Sequence, residues 1–343
     1  MSAQPSISDK RPFRLVRVHG SAVDPVGRSR FEAFARVYHE SARHDLGDGD
    51  AWAADELREM DSDRSKLRTR FAALADDRVC GAAEVVVPVK DNLHLAYFEL
   101  AVVPERRRSG IGTMLLEAVE STAREHGRTT LVTETAWRGE DPAAGDPGGR
   151  FARRFGYTPA QTMLRSDYTV PEDDPVPPPV AQGYAVETRA GTPPPADRAD
   201  RAWLARRMSV DAPLGELDLE EEEWDEERVS ALDARLEAMG RGRAGAFARH
   251  LASGRLVAFT EIQVPKESPT LAYQQDTLVL REHRGHGLGL AVKLANIALL
   301  RTAYPAVRTV RTWNAVENAH MLAVNEAMGF RASGFVREWQ KRL

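Results

Sequence analysis

One phrase is written twice in this chain. Residues 99–112 and 276–289 each run from an acid through an apolar, strand-like segment into Arg-x-x-Gly-x-Gly, and then into a helix-period stretch. Glu99 matches Asp276, Glu105 matches Glu282, Arg107 matches Arg284, Gly110 matches Gly287 and Gly112 matches Gly289, without a gap. A repeat of this spacing is long enough to be a whole domain. The 343 residues likewise exceed one ordinary domain and suit two.

A glycine loop that opens a helix presents unpaired backbone N–H groups at the positive end of the helix dipole, and glycine lets an anion come close to the main chain. The loops therefore read as phosphate sites: Arg107, Arg108, Ser109, Gly110, Ile111, Gly112 and Thr113 in the first copy, and Arg284, Gly285, His286, Gly287, Leu288 and Gly289 in the second. The plainer reading is that the glycines only close strand-to-helix turns. Neither copy has the Gly-Lys-Ser/Thr of a P-loop or the third glycine of a dinucleotide fingerprint, which argues against a nucleoside triphosphate or NAD.

Composition narrows the rest. Formal net charge is −4 with both signs mixed along the chain, so nucleic acid is not an expected partner. The single cysteine, Cys80, allows no internal disulfide and reads as a buried, inert thiol. No apolar run approaches the ~20 residues of a membrane span and residues 1–10 lack a signal-peptide core, so the expectation is a cytoplasmic protein without membrane contact. His39, His44, His283 and His286 show no metal-ligand spacing, and no metal is expected.

Along the chain, residues 1–12 are expected to be disordered, 13–170 to form one domain, the proline-rich stretch 171–182 to be a semi-rigid linker, and 183–343 to form a second domain. In the first, the pattern predicts strands over 13–18, 79–88, 93–103 and 129–136 and helices over 30–46, 52–60 and 113–125. Residues 138–149 read as a loop, too rich in Gly and Pro for a helix. In the second, helices are expected over 196–209, 290–301 and 314–328, with a strongly acidic helix over 220–239.

The repeated phrase resembles the acetyl-CoA loop of the GNAT superfamily of N-acetyltransferases. The resemblance extends to Phe151-Ala-Arg-Arg-Phe-Gly-Tyr157 and to the stretch ending Met328-Gly-Phe330, which look like that family's closing helix and Gly-aromatic turn. The chain thus looks like a tandem GNAT protein, in a layout similar to mycothiol synthase and other two-domain bacterial acetyltransferases. It implies an α/β (α+β) fold: two tandem domains, each a mixed, mainly antiparallel sheet flanked by helices.

The implied activity is transfer of acetyl from acetyl-CoA, as cosubstrate, to a primary amine of a small molecule or peptide, by direct attack in a ternary complex. The family holds the carbonyl and pantetheine arm with main-chain groups of the fourth strand, which here include Val102, Val103, Val279 and Leu280. Glu99 and Asp276 sit where related enzymes often place a carboxylate that deprotonates the amine; pairing with a nearby Arg is the alternative. Many members have a Tyr five residues before the aromatic of the turn, where this chain has Ala152 and Asn325. Asn318, Met321 and Asn325 share a helical face and are expected to line the CoA cleft with Asn314, which otherwise caps the helix. This richer closing helix favours the second domain as the active one. The alternatives are an active first domain, or a CoA-binding protein that transfers nothing. The identity of the acceptor and the oligomeric state are not legible in these residues.

Overall fold

The computed structural model describes residues 13–47, 51–139, 146–173, 175 and 178–343. The expected disordered stretch 1–12 and linker positions 174, 176 and 177 lie outside them. The first half comprises β1 (Arg14–Val18), α1 (Pro25–Leu46), α2 (Ala54–Glu59), β2 (Lys66–Ala75), β3 (Arg78–Pro88), β4 (Leu95–Val102), α3 (Ile111–Glu125), β5 (Thr130–Trp137), α4 (Pro147–Arg154) and β6 (Thr158–Thr169). The second repeats it as β7 (Tyr184–Ala190), α5 (Arg198–Asp211), α6 (Glu226–Ala238), β8 (Gly242–His250), β9 (Leu256–Val264), β10 (Leu271–Val279), α7 (Leu288–Ala303), β11 (Thr309–Ala315), α8 (Ala319–Met328) and β12 (Arg331–Arg342).

All these strands join one 12-stranded sheet in the order β1-β2-β3-β4-β5-β12-β6-β11-β10-β9-β8-β7. Only β4–β5 and β10–β11 pair in parallel. The order reads the same from either edge once each half's strands are matched, and the final strands have crossed over. β12 lies between β5 and β6, with Phe335 opposite Trp137, while β6 lies beside β11, with Thr169 opposite Thr309. The sheet therefore passes from one half to the other through the β12–β6 pair.

Alternation along the strands assigns the faces. On β4, Ala96, Phe98 and Val102 pack under α3 with Ile111 and Leu115, whereas Ala101 turns to the opposite face, among Phe31 and Phe34 of α1. On β10, Ala272 packs with Ile297 of α7, and past a register shift between Gln274 and Thr277 that reverses the alternation, Leu278 packs with Leu204 of α5. The sheet thus carries α1, α2, α5 and α6 on one side and α3, α4, α7 and α8 on the other. Trp339 of β12 is fully buried in the first half's core, its indole N–H donating to Thr135 Oγ1 at 2.8 Å.

The helices match the sequence pattern to within a few residues at most ends, α1 starting at Pro25 rather than 30, and three further starts are set by side-chain caps that lie elsewhere. The acidic helix begins at Glu226 rather than 220: Asp225 accepts from the Arg228 amide at 2.7 Å, and the Glu220 amide is taken by Asn92 Oδ1, also at 2.7 Å. The closing helix of the second half begins at Ala319, capped by Asn318, which leaves Asn314 on β11. Within the stretch read as a loop, residues 140–145 lie outside the described set, and α4 starts at Pro147 because Asp146 caps the Gly149 amide at 2.6 Å.

The exchange makes the first half's stability depend on the second half's final strand. Trp339→Ala is expected to lower unfolding free energy by about 3–5 kcal/mol through the cavity it leaves. The shift in denaturant midpoint measures this, and near-UV circular dichroism should show the loss in the first half's packing.

Candidate active-site cleft

Each repeated phrase folds into a strand end, a tight loop and a helix start. Gly110 (φ +94°) and Gly287 (φ +70°) cap α3 and α7 in the left-handed region that glycine adopts without strain. A Cβ built on either glycine meets nothing within 4 Å, so the space in front of both helix starts is open. Helix geometry leaves the first amides of α3 and α7 without intrahelical partners, facing that space. The two loops fit a pyrophosphate.

The loop side chains serve mainly to build it. Arg107 Nε donates to the Val102 carbonyl at 3.1 Å, and its guanidinium is held by Asp45 at 2.7 and 2.8 Å and by Ser41. Arg284 repeats this, donating to the Val279 carbonyl at 3.1 Å and to Asp211 at 3.2 Å. Both arginines therefore tie the loop to the strand end and to the helix before it, leaving anion contact to the main chain. Ile111 and Leu288 are buried anchors, Ser109 Oγ donates to the Arg106 carbonyl, and His286 Nδ1 lies 3.0 Å from the Arg284 carbonyl. The Val103 and Leu280 amides bond to Cys80 and Val257 of the neighbouring strand. Thr113, Arg108 and Gly112 line the adjoining cleft.

That cleft exists because β4 and β5 pair only as far as Tyr97 and Val132 and then diverge. Past this point the edge of β4 has no strand partner on its β5 side. The opening is about 1620 Å³ and runs from the α3 loop through the sheet to the α1/α2 face and across its centre. Glu99 lies at its floor, open to the cleft and enclosed by protein elsewhere, with no hydrogen-bond or ion-pair partner among the described residues. Its side chain is exposed to the open cleft, yet the protein packed around it strips away much of its water; this desolvation, then repulsion from Glu134 and Glu84, pushes its carboxyl up to about 8. Tyr38 Oη donates to the Glu99 main-chain carbonyl at 3.4 Å, and burial followed by the Glu99 charge raises this phenol well above its ordinary value.

Tyr38, Glu134 and Glu338, which line the same cleft, are not singled out by the sequence pattern. Their signal was faint: an acid at an inward register position of a strand. Asp276 occupies the place of Glu99 in the second half; burial and then Glu261 push it up to about 6. Two of the expected asparagines meet each other, and the third caps a helix. Asn325 is buried, its Nδ2 donating to Asn314 Oδ1 at 2.6 Å, while Asn318 is spent capping α8. Cys80 is buried with its Sγ 3.3 Å from the Ala73 carbonyl. Among the described residues no group of His, Cys, Asp and Glu is arranged to hold a metal, and no helix is long and apolar enough to cross a membrane.

Comparison with known proteins agrees with this geometry. Residues 31–145 match the model of the acetyltransferase (GNAT) family. The structure is similar to that of a tandem GNAT protein from the clavulanic acid biosynthesis pathway, solved without acetyl-CoA, at TM-score 0.78 and 26% identity over 96% of this chain and 98% of that one. It also shares its fold with a GCN5-related N-acetyltransferase from Sphaerobacter thermophilus, at TM-score 0.67 and 17% identity over 97% and 96% of the two chains. A search of curated proteins returns no match. Part of the first half thus matches the GNAT acetyltransferase family, and the chain as a whole is similar in structure to a tandem GNAT protein.

Calorimetric titration with acetyl-CoA tests the loops. Gly110→Glu and Gly287→Glu should each remove binding at their own loop, whereas Gly110→Ala, which adds the backbone strain but no charge, should keep most of it. Linkage gives a second test. Between the ordinary carboxylate value near 4.5 and about 8, the unfolded chain releases the Glu99 proton that the folded chain retains. This contribution to stability is full below that window and lost as pH rises through it, so Glu99→Gln should flatten the fall of the thermal midpoint between pH 5 and 9.

Proposed function

We propose that the first half's cleft transfers acetyl from acetyl-CoA to a primary amine of a small molecule or peptide, by direct attack in a ternary complex. The chain is taken as two GNAT units, 13–170 and 183–343, joined by 171–182. The observation that carries the assignment is Glu99: an unpartnered carboxyl with a raised pKa, on the cleft floor where β4 parts from β5, facing the α1/α2 side. The family match over residues 31–145 supports the same half. Sequence reasoning favoured the second domain for its closing-helix asparagines, and their engagement with one another and with the helix cap removes that reason.

Bound acetyl-CoA supplies an acetyl group activated as a thioester. The α3 amides and Gly110 receive its pyrophosphate, and the unpaired edge of β4 offers main-chain groups to its pantetheine arm. On the opposite face, Glu99 accepts a proton from the incoming ammonium, and a carboxylate of raised pKa is matched to that step near neutral pH. The cleft aligns the amine with the thioester, converting an encounter into a local reaction; as the C–N bond forms the C–S bond breaks, and the leaving thiolate takes its proton from water, since Ala152 stands where a Tyr would supply one. Tyr38 fixes the main chain at Glu99.

A second reading is supported by Asp276, which also lacks a partner among the described residues and has a raised pKa. Steady-state kinetics with an accepted amine separates the two. In the wild type, kcat/KM should rise with pH through a midpoint near 8; Glu99→Gln should lose that limb and about 10²–10⁴-fold in rate, with Asp276→Asn little changed. The reverse pattern would move the chemistry to the second half.

A further inference from the structure

The crossing of β12 places a residue of the second half in the first half's cleft. Glu338 stands directly opposite Glu134, on the same face as Glu99, and all three line the opening. Like charges directly opposite on neighbouring strands oppose each other. Glu338 has no hydrogen-bond or ion-pair partner among the described residues, and its carboxyl is pushed up to about 7 by burial and then by Glu134. Two of the arginines lining the cleft are held by other groups: Arg241 by Glu56 at 2.7 Å and over the Trp52 ring, and Arg165 by Ser333 at 3.1 Å.

The equivalent position in the other half has the opposite charge. Glu338 and Arg165 are each the eighth residue of the exchanged strands, and each lies opposite the fifth residue of the strand beside it, Glu134 and Trp313 respectively. The two halves thus present an anion and a cation at one structural position. β12 lies two strand spacings from β4, which puts the Cα atoms of Glu338 and Glu99 about 10 Å or more apart. Beyond Glu338 the cleft continues to the stacked rings of Tyr273 and Trp313, whose faces accept a cation or an apolar chain.

We infer that the acceptor carries two cationic centres, as in a diamine or polyamine, and that Glu338 reads the one that does not react while Glu99 deprotonates the other. This rests on the reading of the first cleft given above. An acceptor with a single amine leaves Glu338 without a counter-ion; a second amine across the cleft supplies one. Glu338 is here a specificity-determining residue, delivered by the strand exchange.

The test is calorimetric titration of the full chain, saturated with CoA, with butane-1,4-diamine and with butylamine. The diamine should bind at least tenfold more tightly. Glu338→Gln, which keeps shape and removes charge, should bring the two affinities within about twofold, and Glu338→Asp should keep part of the difference. Equal affinities in the wild type, or no binding of either amine, overturn the inference without needing any variant. The reading beneath it fails separately, if acetyl-CoA binding is indifferent to Gly110→Glu or turnover is indifferent to Glu99→Gln.

Discussion

The β12–β6 ladder is the interaction on which the rest of the structure depends. Without it the order would break into two six-stranded sheets with exposed inner edges at β12 and β6, and unpaired strand edges invite pairing with other chains. With it, every inner edge is covered and each half's core is closed by a strand of the other. Trp339, buried above the first half's α3 and α4, is the largest side chain so donated. The two halves are consequently one folding unit in the sheet, whatever boundary the linker marks along the chain.

A second constraint shapes the site. Two strands that begin as a parallel pair and then part leave polar edges facing a gap, and such edges are costly to bury without partners. The gap is the cleft, and the same divergence that leaves the β4 edge open puts Glu99 at its floor. Desolvation there raises the carboxyl toward the pH range in which it serves as a base, and it also costs stability at high pH. The glycine loop adds oriented amides at one mouth, while the exchanged strand adds an acid at the other. Local geometry, electrostatics and topology thus meet in one opening.

Much of this was legible in the residues, and what escaped had a common cause. The glycine loops, their helices, the acids at Glu99 and Asp276 and the tandem fold follow from local pattern and spacing. Arg107 and Arg284 were read as anion ligands, whereas their engagement with Asp45 and Asp211 depends on helices far away in sequence. The asparagines at 314, 318 and 325 showed helical spacing, but a cap at Asn318 shifted the helix start and turned Asn314 into a strand residue. Glu338 lies in a strand where Phe335 and Trp339 mark one face and Val336 the other. Nothing local states that its neighbour is Glu134, because strand partnership is a long-range choice. The acidic stretch 220–225 likewise read as helix until Asp225 and Asn92 claimed its polar groups.

The exchanged strand also sets an order of events in time. Thr135 and Trp339, which touch across the β5–β12 pair, are 204 positions apart in the chain. At ribosomal rates of roughly 5–20 residues per second, the first half waits roughly 10–40 s for the strand that closes it. During that interval β5 presents an open edge and an incomplete core, the condition under which chaperone capture and mispairing compete with folding. The half that leaves the ribosome first is finished last, so its cleft becomes competent only after the second half has been made.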